Sequence, residues 1–174
     1  MKVNRILSQI ETISILHPDI VVENTAAEFL LSHLAPGVKI STETETRAGH
    51  PDLRIGVLGT EEAAQLNLPV EPGSEWRFIR IQPDGRIELY ASHSWFLYRL
   101  ANQLVDDWAE EDAATFTEGK VLKAAFRHLR PAYDSLLNNH ARTAKGFDPE
   151  THIREMARLG FTHVEVNGLA ATFP

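Results

Sequence analysis

Apolar residues at Ile6, Ile10, Ile13 and Leu16 fall at steps of four, three and three, which predicts a leading helix within the first 19 residues, ended by His17-Pro18. Ile20-Val21-Val22 then reads as a short strand, and Asn24 or Thr25 as the N-cap of a helix from Ala26 to Leu34, closed by Ala35-Pro36-Gly37. Val38-Lys39-Ile40 predicts a second strand, followed by a polar loop or hairpin arm from Ser41 to Gly49. Leu53 to Leu58, bounded by Pro51-Asp52 and Gly59, predicts a buried strand, after which Thr60-Glu61-Glu62 opens a short helix that Leu66 to Pro69 closes. Trp76 to Gln82 and Arg86 to Ala91 are β-rich runs about Pro83-Asp84-Gly85, a hairpin in which Pro presets φ and Gly accepts a positive one. From Ser92 to Glu110, the residues Leu97, Leu100, Ala101, Leu104, Val105 and Trp108 recur three or four apart, an apolar stripe that should lie on the sheet. Asn102, Gln103, Asp106 and Asp107 are expected on its polar side.

Glu110 to Gly119 is acidic and small, and reads as a linker. The division expected is therefore 1–115, a non-catalytic α/β domain, and 116–174, a linker and an opening βαβ segment. In the second part, Pro131 to Leu137 reads as a strand and Asn138 to Gly146 as a polar loop. Asp148 then sits as an N-cap, Pro149 at the first helical position and Glu150 in the first turn, with Ile153, Met156 and Ala157 as the apolar stripe and Gly160 as the C-terminal stop. Phe161, Val164 and Val166 begin another strand. The fold class expected is α/β with α+β character: a small mixed sheet packed by helices, then a strand–helix–strand unit. A lone unit of that kind cannot cover both faces of its strands, so it reads as the start of something larger. An uncovered apolar face on Phe161, Val164, Val166, Leu169 and Phe173 is the mark expected of a severed barrel, and not of a finished module.

Composition narrows the classes. With 174 residues and 43% hydrophobic content the chain can bury a core without staples, and with no cysteine it has none to use. Thiol nucleophiles, CxxC redox motifs and cysteine zinc knuckles are excluded together. Seventeen basic residues against 24 acidic ones, scattered rather than striped, argue against nucleic acid as a partner. No apolar run approaches the roughly 20 residues that cross a bilayer, so no membrane partner is expected. Gln9, Glu11 and Ser14 interrupt any signal-peptide core, which favours the cytoplasm slightly; absence of cysteine leaves the compartment open.

Candidate chemistry is sparse. His17, His33, His50, His93, His128, His140, His152 and His163 are spread over the chain, with no HExxH and no pair four apart on a predicted helix, so capping or solvent-facing roles are expected rather than a metal site. The repeated string His17-Pro18-Asp19 and His50-Pro51-Asp52 reads as turn chemistry at the starts of strands. Gly56, Gly59 and Gly73 form neither GxGxxG nor a phosphate loop, and GxSxG is absent. Glu43 with Glu45, Asp106-Asp107 and Glu110-Glu111-Asp112 lie in polar segments, where an acid is not desolvated enough for glycoside hydrolysis. No cofactor is implied. Asn138-Asn139-His140-Ala141-Arg142 follows a predicted strand at the edge where parallel sheets build sites; its polar groups suit a sugar or carboxylate, or else a hydrated loop.

The string WRFIRIQPDGRIELYAS, Trp76 to Ser92, with the following HSWFLYRLANQLV, His93 to Val105, resembles the non-catalytic N-terminal domain of family 20 β-hexosaminidases and family 67 α-glucuronidases. There a strand, a turn, a second strand and a helix recur in that order. Arg130 to Asp134 looks like the first strand of their barrel, and Glu155 through Asn167 like its first helix and second strand. The resemblance implies an α/β domain docked on a (β/α)8 barrel that hydrolyses a glycosidic bond, with carbohydrate and the remainder of the barrel as partners and the catalytic carboxylates on later strands. By position it implies substrate contacts for Asp134 and Arg142, although the gap of eight between them departs from the three of hexosaminidases, and for Asn167; His140 belongs to the same loop. The alternative is a self-contained, non-enzymatic α/β module that binds a partner or carbohydrate, its C-terminal edge covered within one chain; a dimer partner covering that edge would leave the two readings open.

Overall fold

The computed structural model describes residues 1–42, 52–123 and 148–161. The chain divides into two compact units, Met1–Ala125 and Phe126–Pro174. The first holds a six-stranded mixed sheet in the order β2-β1-β3-β5-β4-β6, which is the α/β class expected. Its strands are β1 (Thr12–Ile15), β2 (Lys39–Ser41), β3 (Asp52–Val57), β4 (Trp76–Ile81), β5 (Ile87–Ala91) and β6 (Lys120–Lys123). The first three and β5 run parallel; β4 is antiparallel to β5 and to β6.

One sheet face is covered by α1 (Val3–Leu7), α2 (Val21–Leu31) and α4 (Ser94–Asp106). Ile13, Ile15, Leu53, Ile55, Ile79, Ile81, Ile87 and Leu89 point into that layer and meet Ala26, Leu30, Leu97, Leu100 and Leu104. The other face is banded. Tyr90 and Phe78 are register partners whose rings stack at 6.4 Å; with Leu58, Trp76, Ala63 and Leu68 they form a smaller core under α3 (Thr60–Gln65). Beside it Ser14, Arg54, Glu88 and Arg80 lie side by side across four strands. Arg80 Nε donates to Glu88 at 2.6 Å, while Arg54 and Arg86 donate to the two oxygens of Asp52 at 3.0 and 2.8 Å. Charges on a sheet face persist when each has its opposite within reach.

The hairpin, β3, α3 and α4 form where the periodicity predicts them. Gly85 takes φ +88° in the hairpin turn. Three expectations are corrected. The leading helix is one short turn, and Ile13 belongs to β1. Steps of three and four fit a helix, yet Thr12 to Ile15 alternates β-branched residues and finds β2 and β3 on either side, so tertiary pairing decides. The strand expected at Ile20 to Val22 is the start of α2, with Ile20 as the extended N-cap residue. Asn24 instead donates to the carbonyl of Pro18 at 2.8 Å and Thr25 to that of Val21 at 3.1 Å, so neither caps the helix.

The segment read as a linker is also built in. Asp112 caps a 3-10 turn, Ala113–Phe116, that buries Phe116 completely, and β6 then joins the sheet. Gly119 enters β6 at φ +83°, where an added Cβ would stand 2.7 Å from the ring of buried Phe78. Asn102 is not on the polar side but fully buried, its Nδ2 on the carbonyl of Tyr98 at 2.7 Å. In the second unit the structure describes α5 (Pro149–Arg158), whose first turn is capped by Asp148 accepting from Glu150 N and Thr151 N at 3.2 and 3.1 Å. Gly160 ends it at φ +92°, as predicted. The strands expected at 131–137 and from 164, the loop 138–146 and most of the loop 41–49 lie outside the described residues.

Candidate functional site

In open α/β sheets ligands sit outside the carboxyl ends of the strands, at the point where successive crossovers leave for opposite faces. Here that point lies between β1 and β3: β1 leads into α2 on the helix-covered face and β3 into α3 on the other. Gly56, near the end of β3, lets the two strands close up, since an added Cβ would stand 2.6 Å from Leu16 Cδ1.

The crevice is filled by the protein's own side chains. Glu23, in the first turn of α2, is fully buried. Its carboxylate accepts from the amides of His17 and Val57, both at 2.7 Å, and meets His17 Nδ1 at 2.9 Å. The other ring nitrogen, Nε2, lies 2.8 Å from Glu62 Oε1, and the second oxygen of Glu62 accepts from Gly59 N at 2.8 Å. A carboxylate at each nitrogen favours the form of the ring in which both nitrogens donate, the imidazolium. Burial alone would lower the affinity of His17 for its proton, but the hydrogen bonds and charges of Glu23 and Glu62 outweigh it and hold the group above its ordinary 6.5. Glu62 is held below 4.5, first by the Gly59 amide, against partial burial, and then by His17.

This arrangement ties the end of β1, the start of α2, the end of β3 and the start of α3 into one charged knot. It leaves neither imidazole nitrogen open for a metal or a substrate, and among the described residues no cluster of His, Asp and Glu is placed to hold a metal ion. Among the described residues no helix is long and apolar enough to cross a membrane. Asp134, His140, Arg142 and Asn167, the substrate contacts implied by resemblance, all lie outside the described residues.

The knot escaped the sequence pattern because its members are 6 and 45 positions apart. The available signals were Glu23 as an acid inside the apolar start of α2, and Glu62 three residues beyond Gly59, the spacing of a capping side chain. No family model and no curated protein matches this chain.

Proposed function

We propose that the chain is the leading part of a carbohydrate-active glycoside hydrolase, its first unit a non-catalytic supporting domain and its second the opening of a catalytic barrel. The observation that carries this reading is α5. Its two ends are properly stopped, by Asp148 and by Gly160, yet Ile153 and Leu159 remain 45% and 56% exposed. A capped amphipathic helix with bare apolar side chains is written to pack against something further. Two features of the first unit are in keeping. Strand, turn, strand and helix follow one another over Trp76 to Asp106 in the order that the resemblance implies. The crevice where such a sheet would bind a ligand is taken up by His17, Glu23 and Glu62, as suits a support rather than a catalyst. On this reading the loop around His140 and Arg142, with Asp134 and Asn167, supplies sugar contacts to the completed barrel.

The test is the intact mass of the native product in its source cells, followed by assay of aryl glycosides. A mass several times 19.5 kDa, with glycosidase activity in the native product and none in the 174-residue chain, is the expected result. A native mass of 19.5 kDa would overturn the reading in favour of a self-contained binding module.

A further inference from the structure

The carboxyl ends of three helices meet at one cleft. It holds about 410 Å³ and is lined by Leu7 and Ser8 at the end of α1, His33 and Leu34 just past the end of α2, and Val105 and Ala109 around the end of α4. A helix ends in partial negative charge, which a Lys or Arg in the last turn offsets. Neither α2 nor α4 has one there, and α4 is followed instead by Asp107. No Lys or Arg lines the cleft: Arg5 of α1 is outside the lining, and Lys2, two residues before the lining Asn4, donates to the carbonyl of Glu110.

The polar side chains of the lining have each committed a hydrogen to the protein. Asn4 Nδ2 donates to Glu110 Oε1 at 2.6 Å, Ser8 Oγ to the carbonyl of Arg5 at 2.8 Å, and His33 Nδ1 to the carbonyl of Phe29 at 2.8 Å, with the imidazole 4.4 Å from the Phe29 ring. In the neutral His33 ring the other nitrogen, Nε2, then carries a lone pair, and it has no partner among the described residues. Asn4 Oδ1 and Ser8 Oγ keep lone pairs as well. Acceptors and helix carboxyl ends set among apolar walls call for a ligand that brings donors, positive charge and an apolar body together. We propose that this cleft binds a small primary amine in its ammonium form, the N–H groups on His33 Nε2, Ser8 Oγ and Asn4 Oδ1 and the alkyl body against Leu7, Leu34 and Val105. An ammonium has three donors and no acceptor, and the cleft has the volume of a small-molecule site. The assignment stands independently of the glycoside-hydrolase reading.

The 15N-labelled 174-residue chain is titrated near pH 8 with pentylammonium chloride, pentyltrimethylammonium chloride and pentanol, against sodium chloride at matched ionic strength. Saturable shifts at the amides of Ser8, His33 and Ala109 and at His33 Nε2 are expected with pentylammonium. The trimethyl analogue keeps the charge without an N–H, and pentanol keeps the body without the charge; each should bind about tenfold more weakly. His33→Phe, which keeps a ring on Phe29, should weaken pentylammonium about tenfold and leave pentanol unchanged. Ala35→Leu places bulk in the lining and should weaken both. Both positions are exposed, and unchanged amide shifts in the sheet show that each variant is folded. If pentylammonium moves these signals no further than sodium chloride does, if pentanol or the trimethyl analogue binds as tightly, or if both variants bind as well as the parent, the amine site is overturned.

Discussion

Glu23 has no route to water, so its carboxylate rests on three groups: the amide of His17 just past the end of β1, the amide of Val57 at the end of β3, and the His17 ring. Replacing it with Gln removes the charge while keeping the shape, and leaves an amide N–H aimed at a donor. We expect Glu23→Gln to lower unfolding stability in urea by about 2–3 kcal/mol, within the cost of breaking a buried charged network. The His17 titration followed by NMR should move back toward 6.5 or below, because burial then acts with less to oppose it. The knot also has a pH window whose edges follow from its two shifted groups. His17 binds its proton more tightly folded than unfolded, so its contribution is complete below 6.5 and fades as pH rises through the folded value. Glu62 is the reverse: its contribution is complete above 4.5 and is lost as pH falls through its lowered value. Urea midpoints across pH 3–9 should therefore show the His17- and Glu62-dependent part of stability greatest between 4.5 and 6.5, and a His17→Gln chain should lack that feature. Histidine spacing alone offers no view of this, since the partners of His17 are carboxylates from two helices that only the sheet brings together.

Elements with both ends marked in the sequence form where expected. Asp148 and Gly160 bracket α5, and Pro83-Asp84-Gly85 fixes the hairpin, because each end has a local physical cause. Loss of the cap in Asp148→Ala should reduce amide protection at Glu150 and Thr151 several-fold, leaving the first unit unchanged by the same hydrogen-exchange measurement. Elements chosen by their neighbours were misread. Ile13 suits either period, and Val21-Val22 has the β-branching of a strand; pairing with β2 and β3 settles the first, and the pull of Glu23 into the crevice accompanies helix in the second. The acidic stretch before β6 carries a linker composition, but Ala113 and the fully buried Phe116 commit it to the core. Gly119 is the joint between that stretch and β6. Gly119→Ala must meet both a positive φ and the Phe78 ring, so a loss of about 2 kcal/mol or more in thermal unfolding is expected.

Across the whole chain, the α/β class and the layer of helices over one sheet face were legible from periodicity, whereas strand order and the charged rows of the other face were not. Arg54, Glu88 and Arg80 become neighbours only through register between strands more than 25 residues apart or across the hairpin. The sheet reaches its sixth strand at Lys123, so a fragment of residues 1–125 should unfold in a single cooperative transition, with a midpoint close to that of the first unit within the whole chain. Calorimetry on the two samples checks it; a fragment without a transition would show that the first unit depends on the second.

The first residues of the chain are stitched to residues that come more than a hundred positions later. Val3 N donates to Glu111 O and Asn4 N to Ala109 O, Ala113 N returns a bond to Met1 O, and the Met1 ammonium lies 3.1 Å from Asp112. On a ribosome, where the chain emerges from its first residue onward, that seam stays open until residue 113 has cleared the exit tunnel. The backbone bonds that hold α1 to residues 109–113 therefore close only after almost the entire first unit has been synthesised, although its apolar face shares a core with residues made much earlier, Ile13 and Leu30 among them.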